Sequence, residues 1–439
     1  MHSSYFLEEK WYKRTELSAV FSAEDFQNLI FKGILVSTDR FYFKFVFVGV
    51  VSLRNVAFII LPKVLKKEPE ALFHVKSTVQ TLKKYSNLNL QKYEGIDYFN
   101  IDPDSPECSE MAIADFLIND FQRHGIYTVE QELVEIDGNG DVNWPLTVLH
   151  TDPIFSKGQP IYLNTVNHVF IDDSEHLTIA IHKWSLGYSL RKYSVLLGQE
   201  FDKVDLDYVQ DSNEIGSDEQ LIRHLKNQLQ STFTDRGIRL LKSLLFLVTS
   251  KASKENDSIS LYGTKKYENI WESICRTVVN DIYPELKKDY DFFPNPIWNI
   301  MGNTLASKSP LIPDIITKNN STGKHHLYDA KYYMIEFSNS IKGEPGFKDI
   351  LKQFQYQEHI EKELGEMENG FLFPISNSNY DELINNPDII ESNEFMIVIG
   401  HIEYHLYPGK KISIIMCPFS KWQQLFINNK SIESDRLLS

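Results

Sequence analysis

Two aspartates and a lysine lie in the last third of the sequence, in a setting that favours metal-dependent hydrolysis. Asp314 follows Pro313 in a β-branched apolar run, and Asp329 and Lys331 lie on a second apolar run beyond a polar turn. Side chains alternate along a strand, so Asp329 and Lys331 share one face. A hairpin of this length brings Asp314 beside Asp329.

Two buried carboxylates repel each other and are costly to desolvate. Mg²⁺ would relieve that cost, because it prefers hard oxygen ligands and retains water, and Mn²⁺ is a substitute. The metal would polarise a phosphate and lower the pKa of a bound water, while Lys331 orients or activates that water or offsets transition-state charge. Asp314, Asp329 and Lys331 are therefore predicted catalytic residues of a phosphodiester hydrolase, with Lys331 a candidate for a shifted pKa. The alternative is a structural hairpin with an ordinary ion pair.

The set Asp314…Asp329-Ala330-Lys331, preceded by Pro313, resembles the PD-(D/E)XK nuclease signature. Two other proline-aspartate pairs, Pro103-Asp104 and Pro387-Asp388, lack a following strand with an acid-x-lysine. The strand context is therefore what makes the resemblance specific.

This resemblance implies a further acid on the helix that precedes the core. Glu268 and Glu272 are four residues apart and border the apolar stripe of a predicted helix. Glu272 is favoured as a third catalytic acid and metal ligand, with Glu268 as the alternative. A solvated helix face is the competing interpretation for either one.

The resemblance also implies that the helix after the core approaches the site or the DNA backbone. Gln353 and Tyr356 are three residues apart and share a helix face. They are candidates for that contact, and ordinary packing is the alternative. Tyr332, directly after Lys331, either lines the site or belongs to the core.

The elements around these residues predict a compact α/β domain with a central mixed sheet flanked by helices. Helices are expected at about 265–282 and 346–364, and strands at 311–317, 326–335, 370–375, 395–403 and 411–416. The whole chain is interpreted as α/β (α+β overall), with a β-rich and helical N-terminal region. Three domains are predicted: a partner-docking domain at 1–105, a mainly helical region at 106–255 and a PD-(D/E)XK nuclease domain at 256–439.

Composition limits the classes of protein that the chain can belong to. Its 439 residues carry 45 basic and 60 acidic side chains, a net charge of −15. This balance argues against a freestanding, nonspecific nucleic-acid binder, although a nuclease site is itself acidic. No apolar run approaches the roughly 20 residues of a membrane span, and no signal peptide is visible, so no membrane attachment is expected. Three cysteines far apart in the sequence exclude a disulfide framework and a four-cysteine zinc site, so a reducing cytoplasm is the expected location.

The chain also resembles a narrower group, the McrC-type and LlaJI-type restriction subunits, over about residues 40 to 360. The N-terminal part resembles McrC in two segments, Phe47-Val48-Gly49-Val50-Val51 and Ile60-Leu61-Pro62-Lys63. The similarity to LlaJI lies in the segments Asp115–Asp120, Gly125-Ile126-Tyr127, Asp137–Gly140, Val142-Asn143-Trp144 with Thr147, Gly263-Thr264, Trp271-Glu272 and Asp329–Tyr332.

This second resemblance implies the cleavage subunit of a prokaryotic type II/IV-like restriction system used in phage defence. Its partners would be double-stranded DNA and a McrB-like AAA+ GTPase, within an oligomeric complex. The N-terminal half would dock on that motor and stimulate nucleotide hydrolysis. Arg54 and Lys63 are candidate contacts, with ordinary surface residues as the alternative.

The sequence contains no GxxxxGK[ST] loop, so no nucleotide site is predicted in this chain and the motor must act in trans. Two other functions remain open. One is a non-catalytic adaptor that stimulates the GTPase, and the other is a standalone DNA repair nuclease.

Overall fold

A computed structural model describes most of the chain. The described residues are 5–53, 57–66, 71–88, 97–105, 108–127, 130–138, 140–172, 177–198, 211–252, 259–295, 297–301, 303–306, 311–337, 341–433 and 436–437. Arg54, a candidate motor contact, lies outside them.

The chain divides into two compact units. Unit 1 comprises Met1–Phe99, Leu196–Gly198 and Leu261–Ser439, and unit 2 comprises Asn100–Val195 and Gln199–Ser260. The first and last parts of the sequence therefore belong to one unit, whereas three successive domains were predicted. Those three domains stay a prediction.

The strands of the described residues are given first, in chain order. They are β1 (Tyr5–Leu7), β2 (Trp11–Lys13), β3 (Leu35–Ser37), β4 (Tyr42–Phe45), β5 (Val48–Ser52), β6 (Ala57–Leu61), β7 (Asp97–Tyr98), β8 (Glu130–Ile136), β9 (Asp141–Val142), β10 (Ile154–Ser156), β11 (Gln159–Ile161), β12 (Val166–Asp172), β13 (Ser260–Thr264), β14 (Ile297–Ile300), β15 (Asn303–Ala306), β16 (Ile315–Lys318), β17 (His325–Ala330), β18 (Glu336–Phe337), β19 (Ile341–Lys342), β20 (Met367–Ile375), β21 (Glu391–Ser392), β22 (Ile397–Glu403) and β23 (Lys411–Pro418).

The helices of the described residues follow in the same way. They are α1 (Arg14–Ser18), α2 (Ala23–Phe31), α3 (Ala71–Leu88), α4 (Glu110–His124), α5 (Trp144–His150), α6 (Leu177–Leu197), α7 (Asp218–Ser231), α8 (Asp235–Ala252), α9 (Tyr267–Val278), α10 (Tyr283–Leu286), α11 (Phe347–Leu364), α12 (Asn377–Leu383) and α13 (Phe419–Ile427), with short 3₁₀ turns at Lys63–Leu65 and Ser212–Glu214. No described helix is long and apolar enough to cross a membrane.

The N-terminal part of unit 1 is built on a five-stranded sheet in the order β1-β6-β5-β13-β7. Strand β13 therefore joins this sheet although about 200 residues separate it from β5 in the sequence. Gly49 and Gly263 allow the two strands to approach closely: their φ angles are +146° and +155°, and an added Cβ on Gly49 would lie 2.2 Å from the carbonyl oxygen of Tyr262. Aromatic rings of Phe6, Phe45 and neighbouring residues pack beside this sheet.

The C-terminal part of unit 1 is a six-stranded mixed sheet in the order β16-β17-β20-β23-β22-β21. Strands β17, β20 and β23 run parallel, and β16, β22 and β21 are antiparallel to their neighbours. Alternate residues of β20, Phe371, Phe373 and Ile375, share a core cluster with Phe354 of α11. Helix α11 therefore covers that face of the sheet.

The predicted helices and strands of this domain are present, and the mixed α/β class is confirmed. The helix predicted at 346–364 corresponds to α11, and the strands predicted at 370–375, 395–403 and 411–416 correspond to β20, β22 and β23. The first hairpin is shorter than expected, because β16 begins only at Ile315 and β17 ends at Ala330. Pro313 has no N–H to donate to a strand partner, which accounts for the late start of β16.

Unit 2 holds helices α4, α5, α7 and α8 and most of α6, together with the sheet β8-β12-β9 and the hairpin β10-β11. Arg236 at the start of α8 forms a bidentate pair with Asp120 of α4, with N–O distances of 2.9 and 2.8 Å. This buried carboxylate ties the two helices together.

Candidate active site

The two predicted aspartates face each other across the first hairpin of the six-stranded sheet. In the register of β16 and β17, Ile315 is opposite Tyr328. Extending this antiparallel register by one residue places Asp314 opposite Asp329, on the same face. The backbone N–H of Ala330 donates to Oδ2 of Asp314 at 3.3 Å, which fixes the Asp314 side chain at the end of β17.

Lys331 completes this group. Its backbone N–H donates to the carbonyl oxygen of Leu372 at 2.9 Å, so the pairing of β17 with β20 extends through this residue. Its Nζ lies 2.7 Å from Oδ2 of Asp329 and 3.6 Å from Oδ1 of Asp349, an acid at the start of α11. The predicted set of Asp314, Asp329 and Lys331 is therefore brought together.

Burial dominates the electrostatics of the acidic pair. Burial and then repulsion from Asp314 raise the pKa of Asp329 to about 6, against an opposing effect of Lys331. The pKa of Asp314 is also raised, by burial first and by repulsion from Glu272 second. For Lys331, burial would lower the pKa, but the ion pair with Asp329 outweighs it and the pKa is raised. The lysine is therefore a cation at neutral pH.

The helix before the sheet brings Glu272 to the edge of this group. The indole N–H of Trp271, a fully buried residue, donates to the carbonyl oxygen of Leu372 at 3.2 Å and so anchors α9 to β20. Glu272 also pairs with Arg276 one turn later, at 2.7 Å. Glu268 is exposed and lines the same cleft as Glu272. Because repulsion from Glu272 raises the pKa of Asp314, Glu272 remains the better candidate of the two acids.

The expected cluster of three metal-binding acids is not assembled. Within the described ranges, no three Asp, Glu, His or Cys side chains are close enough together to hold a metal ion. The pair of Asp314 and Asp329 still fits Mg²⁺, because this ion is commonly bound by one or two carboxylates and keeps several waters. Burial raises the pKa of both acids, repulsion adds to it, and a bound divalent cation would offset their negative charge.

Helix α11 contributes a residue that the sequence interpretation missed. Lys352 is half-buried on α11, its Nζ lies 5.1 Å from the ring centre of Tyr356, and its charge lowers the pKa of both Asp314 and Asp329. Tyr356 is buried and its hydroxyl donates to the carbonyl oxygen of Ile312 at 2.8 Å. The four-residue spacing of Lys352 and Tyr356 on one helix face could have revealed this lysine.

The structure places Gln353 in the packing arrangement that was the alternative to a contact with the site or the DNA. Its side chain is only 2% exposed, and its amide N–H donates to the side-chain oxygen of Asn369 on β20 at 2.7 Å. The Asn369 side chain in turn donates to Gln357, so the three amides form a buried network between α11 and β20. A helix has several faces, and Gln353 lies on the one that packs against the sheet.

Tyr332 lies beside the site without pointing its hydroxyl at it. It is buried, and its hydroxyl donates to Oε2 of Glu8 in the N-terminal region at 2.7 Å. Both residues line a cleft of about 490 Å³ together with Glu272 and Lys331. Lys63, a candidate motor contact, lies in this cleft and pairs with Glu9 at 3.0 Å.

A buried acidic pair next to a lysine, at the edge of a mixed sheet, is an arrangement suited to holding a divalent cation, and sequence comparison gives the particular family. The model of the LlaJI restriction endonuclease family matches residues 47–403. The chain is also 33% identical to the type II restriction enzyme BsuMI component YdjA of Bacillus subtilis strain 168, over 99% of this chain and 91% of that protein. The chain belongs to the LlaJI restriction endonuclease family and is a component of a restriction system.

Two solved structures are similar at 14% sequence identity. One is a half-complex of Thermococcus gammatolerans McrB AAA+ hexamers with bound McrC, matched with a TM-score of 0.44 over 97% of this chain and 98% of that chain. The other is the McrBC complex of the same organism, with a TM-score of 0.29 over 61% and 84%. The family assignment rests on the sequence matches.

Proposed function

We propose that this chain is the DNA-cleaving subunit of its restriction system, a Mg²⁺-dependent endonuclease with a PD-(D/E)XK type of domain. The observation that carries the proposal is the position of Asp314 opposite Asp329, with Nζ of Lys331 at 2.7 Å from Asp329. Membership of a restriction endonuclease family supports the reaction class and double-stranded DNA as the substrate.

The residues divide the work of phosphodiester hydrolysis among them. Asp314 and Asp329 would hold the ion, which when bound polarises the phosphate and lowers the pKa of a coordinated water. Lys331 is protonated, so it cannot accept the proton of the attacking water. It can donate a hydrogen bond to that water or to a phosphate oxygen, and it offsets the negative charge of the transition state. Lys352 adds a second positive charge, which acts on both carboxylates of the acidic pair.

A partner protein would supply the nucleotide hydrolysis and much of the DNA affinity that this sequence lacks. The chain has no phosphate-binding loop motif, and its net charge of −15 does not favour DNA binding by the chain alone. We infer an AAA+ GTPase partner within an oligomeric complex, as the resemblance to McrC-type subunits implies. That partner would recognise and translocate the DNA that this subunit cuts.

The test is DNA cleavage by the purified chain with its motor partner, GTP and Mg²⁺. Asp314→Asn and Lys331→Ala are each expected to lower the cleavage rate on the order of 10²-fold or more, as the loss of a charge-stabilising group does elsewhere. Asp388→Asn and Lys324→Ala are the matched controls: Asp388 is the exposed acid of the other proline-aspartate pair in this domain, and Lys324 is an exposed lysine in the turn of the same hairpin.

Full cleavage by both active-site variants would reject the nuclease assignment. In that case, complete restriction in cells carrying Asp314→Asn would favour a non-catalytic adaptor. Robust cleavage by the wild-type chain without nucleotide and partner would instead favour a standalone nuclease.

A further inference from the structure

The cleft beside Lys331 has walls from two distant parts of the sequence, both in unit 1. Lys331 and Tyr332 come from the end of β17, whereas Glu8, Glu9 and Lys63 come from the N-terminal region. The N-terminal residues therefore reach the immediate surroundings of the lysine to which we assign the catalytic charge.

Glu8 makes the central contact of this cleft. It directly follows β1, and its backbone N–H donates to the carbonyl oxygen of Leu61 at 2.9 Å, so the N-terminal sheet holds its backbone. Its side chain is almost fully buried, and Oε2 accepts hydrogen bonds from the hydroxyl of Tyr332 at 2.7 Å and from the backbone N–H of Lys63 at 3.3 Å. The N-terminal sheet therefore holds Tyr332 through a hydrogen bond to one carboxyl oxygen of Glu8.

The tyrosine ring is held as well as its hydroxyl. Nζ of Lys63 lies 4.7 Å from the centre of the Tyr332 ring, a cation–π distance. The ring of Tyr267, the first residue of α9, packs against it with centroids 5.2 Å apart. Because Tyr332 is buried, water cannot replace Glu8 as the acceptor for its hydroxyl. Losing Glu8 would therefore leave a buried donor unsatisfied.

The position of Tyr332 bears directly on Lys331. The backbone is hydrogen-bonded to β20 as far as Lys331, whose N–H donates to the carbonyl oxygen of Leu372. Strand β17 has ended at Ala330, and residues 331–335 belong to no strand. The sheet therefore fixes the segment on one side of Lys331, and the Tyr332 side chain fixes it on the other.

We propose that Glu8 is a positioning residue for Lys331: it holds Tyr332 by its hydroxyl and so fixes the segment that aims Nζ of Lys331 at Asp329. The inference rests on the proposed function and deepens it, since it makes the N-terminal sheet part of the cleavage site. Any displacement of the end of β1 is then transmitted to Lys331 through one hydrogen bond. An N-terminal region that docks a partner would have a direct route to the chemistry.

The test uses the full chain with its motor partner and compares four variants: Glu8→Ala, Glu8→Gln, Tyr332→Phe and the double variant Glu8→Ala/Tyr332→Phe. Glu8→Ala and Tyr332→Phe are each expected to lower kcat for DNA cleavage about tenfold, the factor that loss of one hydrogen bond can cause, with KM changed less than about twofold. Glu8→Gln keeps an acceptor for the hydroxyl and is expected to retain most of the wild-type kcat. The double variant is expected to be no slower than either single variant, because both remove the same contact.

Two controls and a second readout separate positioning from general stability. Glu16→Ala and Tyr42→Phe replace residues of the same types in the same N-terminal region, outside the cleft lining, and are expected to leave kcat unchanged. Amide hydrogen exchange, read by mass spectrometry on a peptide covering residues 328–334, needs no catalytic activity. Exchange there is expected to rise in Glu8→Ala and Tyr332→Phe and to stay at the wild-type level in the two controls.

Wild-type kcat in Glu8→Ala, additive losses in the double variant, or unchanged exchange in residues 328–334 would each overturn the inference. Lys331→Ala serves as the reference that separates it from the proposed function. If Lys331→Ala is inactive and Glu8→Ala is fully active, only the positioning role fails. If Lys331→Ala cleaves at the wild-type rate, the hydrolytic assignment fails, and hydrogen exchange still decides whether Glu8 orders the segment.

Discussion

Metal affinity is expected to fall steeply below neutral pH, because the acid that must bind the ion starts from a raised pKa. Burial and repulsion from Asp314 move the pKa of Asp329 from 3.8 to about 6. Since a metal ligand must be deprotonated, protons and metal compete for this side chain. With that pKa, roughly 90% of the Asp329 side chains are ionised at pH 7 and roughly 10% at pH 5. The apparent affinity for Mg²⁺ or Mn²⁺ is therefore expected to be about tenfold weaker at pH 5.

The measurement is isothermal titration calorimetry of Mn²⁺ into metal-free protein at pH 5, 6 and 7. Repeating each titration in two buffers of different ionisation enthalpy counts the protons released, and release is expected at pH 5 and not at pH 7. Asp388→Asn is expected to bind like the wild type, and Asp314→Asn is expected to lose binding. An aspartate with an ordinary pKa would change affinity by less than about 10% over this range. A change below twofold, or no proton release at pH 5, would refute the reasoning.

The same raised pKa gives a prediction for stability, with a definite sign. An acid whose pKa is higher in the folded state stabilises the fold at pH values below its pKa in the unfolded chain, which is 3.8 for Asp329. That contribution is lost as the pH rises through the folded-state pKa of about 6. The shift of about 2 pKa units sets an upper limit of about 3 kcal/mol. Asp314→Asn removes one repelling charge, so it is expected to raise the melting temperature of the metal-free protein at pH 7 and to change it little at pH 4. A lower melting temperature at pH 7 would contradict this.

Three substitutions test other parts of the structure. Gly49→Ala would place a Cβ 2.2 Å from a backbone carbonyl oxygen of β13. It is expected to lower the free energy of unfolding, measured by chemical denaturation, by about 3 kcal/mol or more, the cost of severe overpacking. Gly400→Ala is the control and is expected to be neutral, because the nearest neighbour of its Cβ would be 4.0 Å away. Lys352→Ala is expected to slow DNA cleavage about tenfold or more, and the exposed Lys348 on the same helix gives the control Lys348→Ala, whose rate should match the wild type. Gln353→Ala is expected to cost about 1–3 kcal/mol of stability, because it breaks a buried amide network; a changed cleavage rate per folded molecule would instead indicate a role at the DNA.

The central group of the site could be predicted from the sequence because its signal is local. Asp314, Asp329 and Lys331 lie within one hairpin, and alternation along a strand decides which of them share a face. Which helix face packs inward is a tertiary property, and this is why the sequence left the role of Gln353 open and did not indicate Lys352, one residue earlier. The contact of Glu8 with Tyr332 joins residues 324 positions apart, and no local pattern indicates such a pair.

The individual helices and strands of the fold could also be predicted from local patterns. The pairing of distant strands could not. The periodicity of 346–364 correctly predicts α11, since an amphipathic helix of 18 residues carries its own signal. The pairing of β13 with the N-terminal sheet has no such signal, because Ser260–Thr264 is short and its partner strand is far away in sequence. Only the glycines of this pair, Gly49 and Gly263, indicate a close approach of two backbones, and the sequence does not say which two.

Strand β13 explains why the site depends on the N-terminal region as well as on the C-terminal part of the chain. Strand β13 ends at Thr264 in the N-terminal sheet, and α9, which carries Glu272, begins at Tyr267 only three residues later. The ring of Tyr267 packs against Tyr332, which Glu8 of the same N-terminal region holds. The acidic helix and the Lys331 segment are therefore both positioned from one sheet. Deleting that sheet is therefore expected to remove the supports of the site together with the region expected to dock a partner.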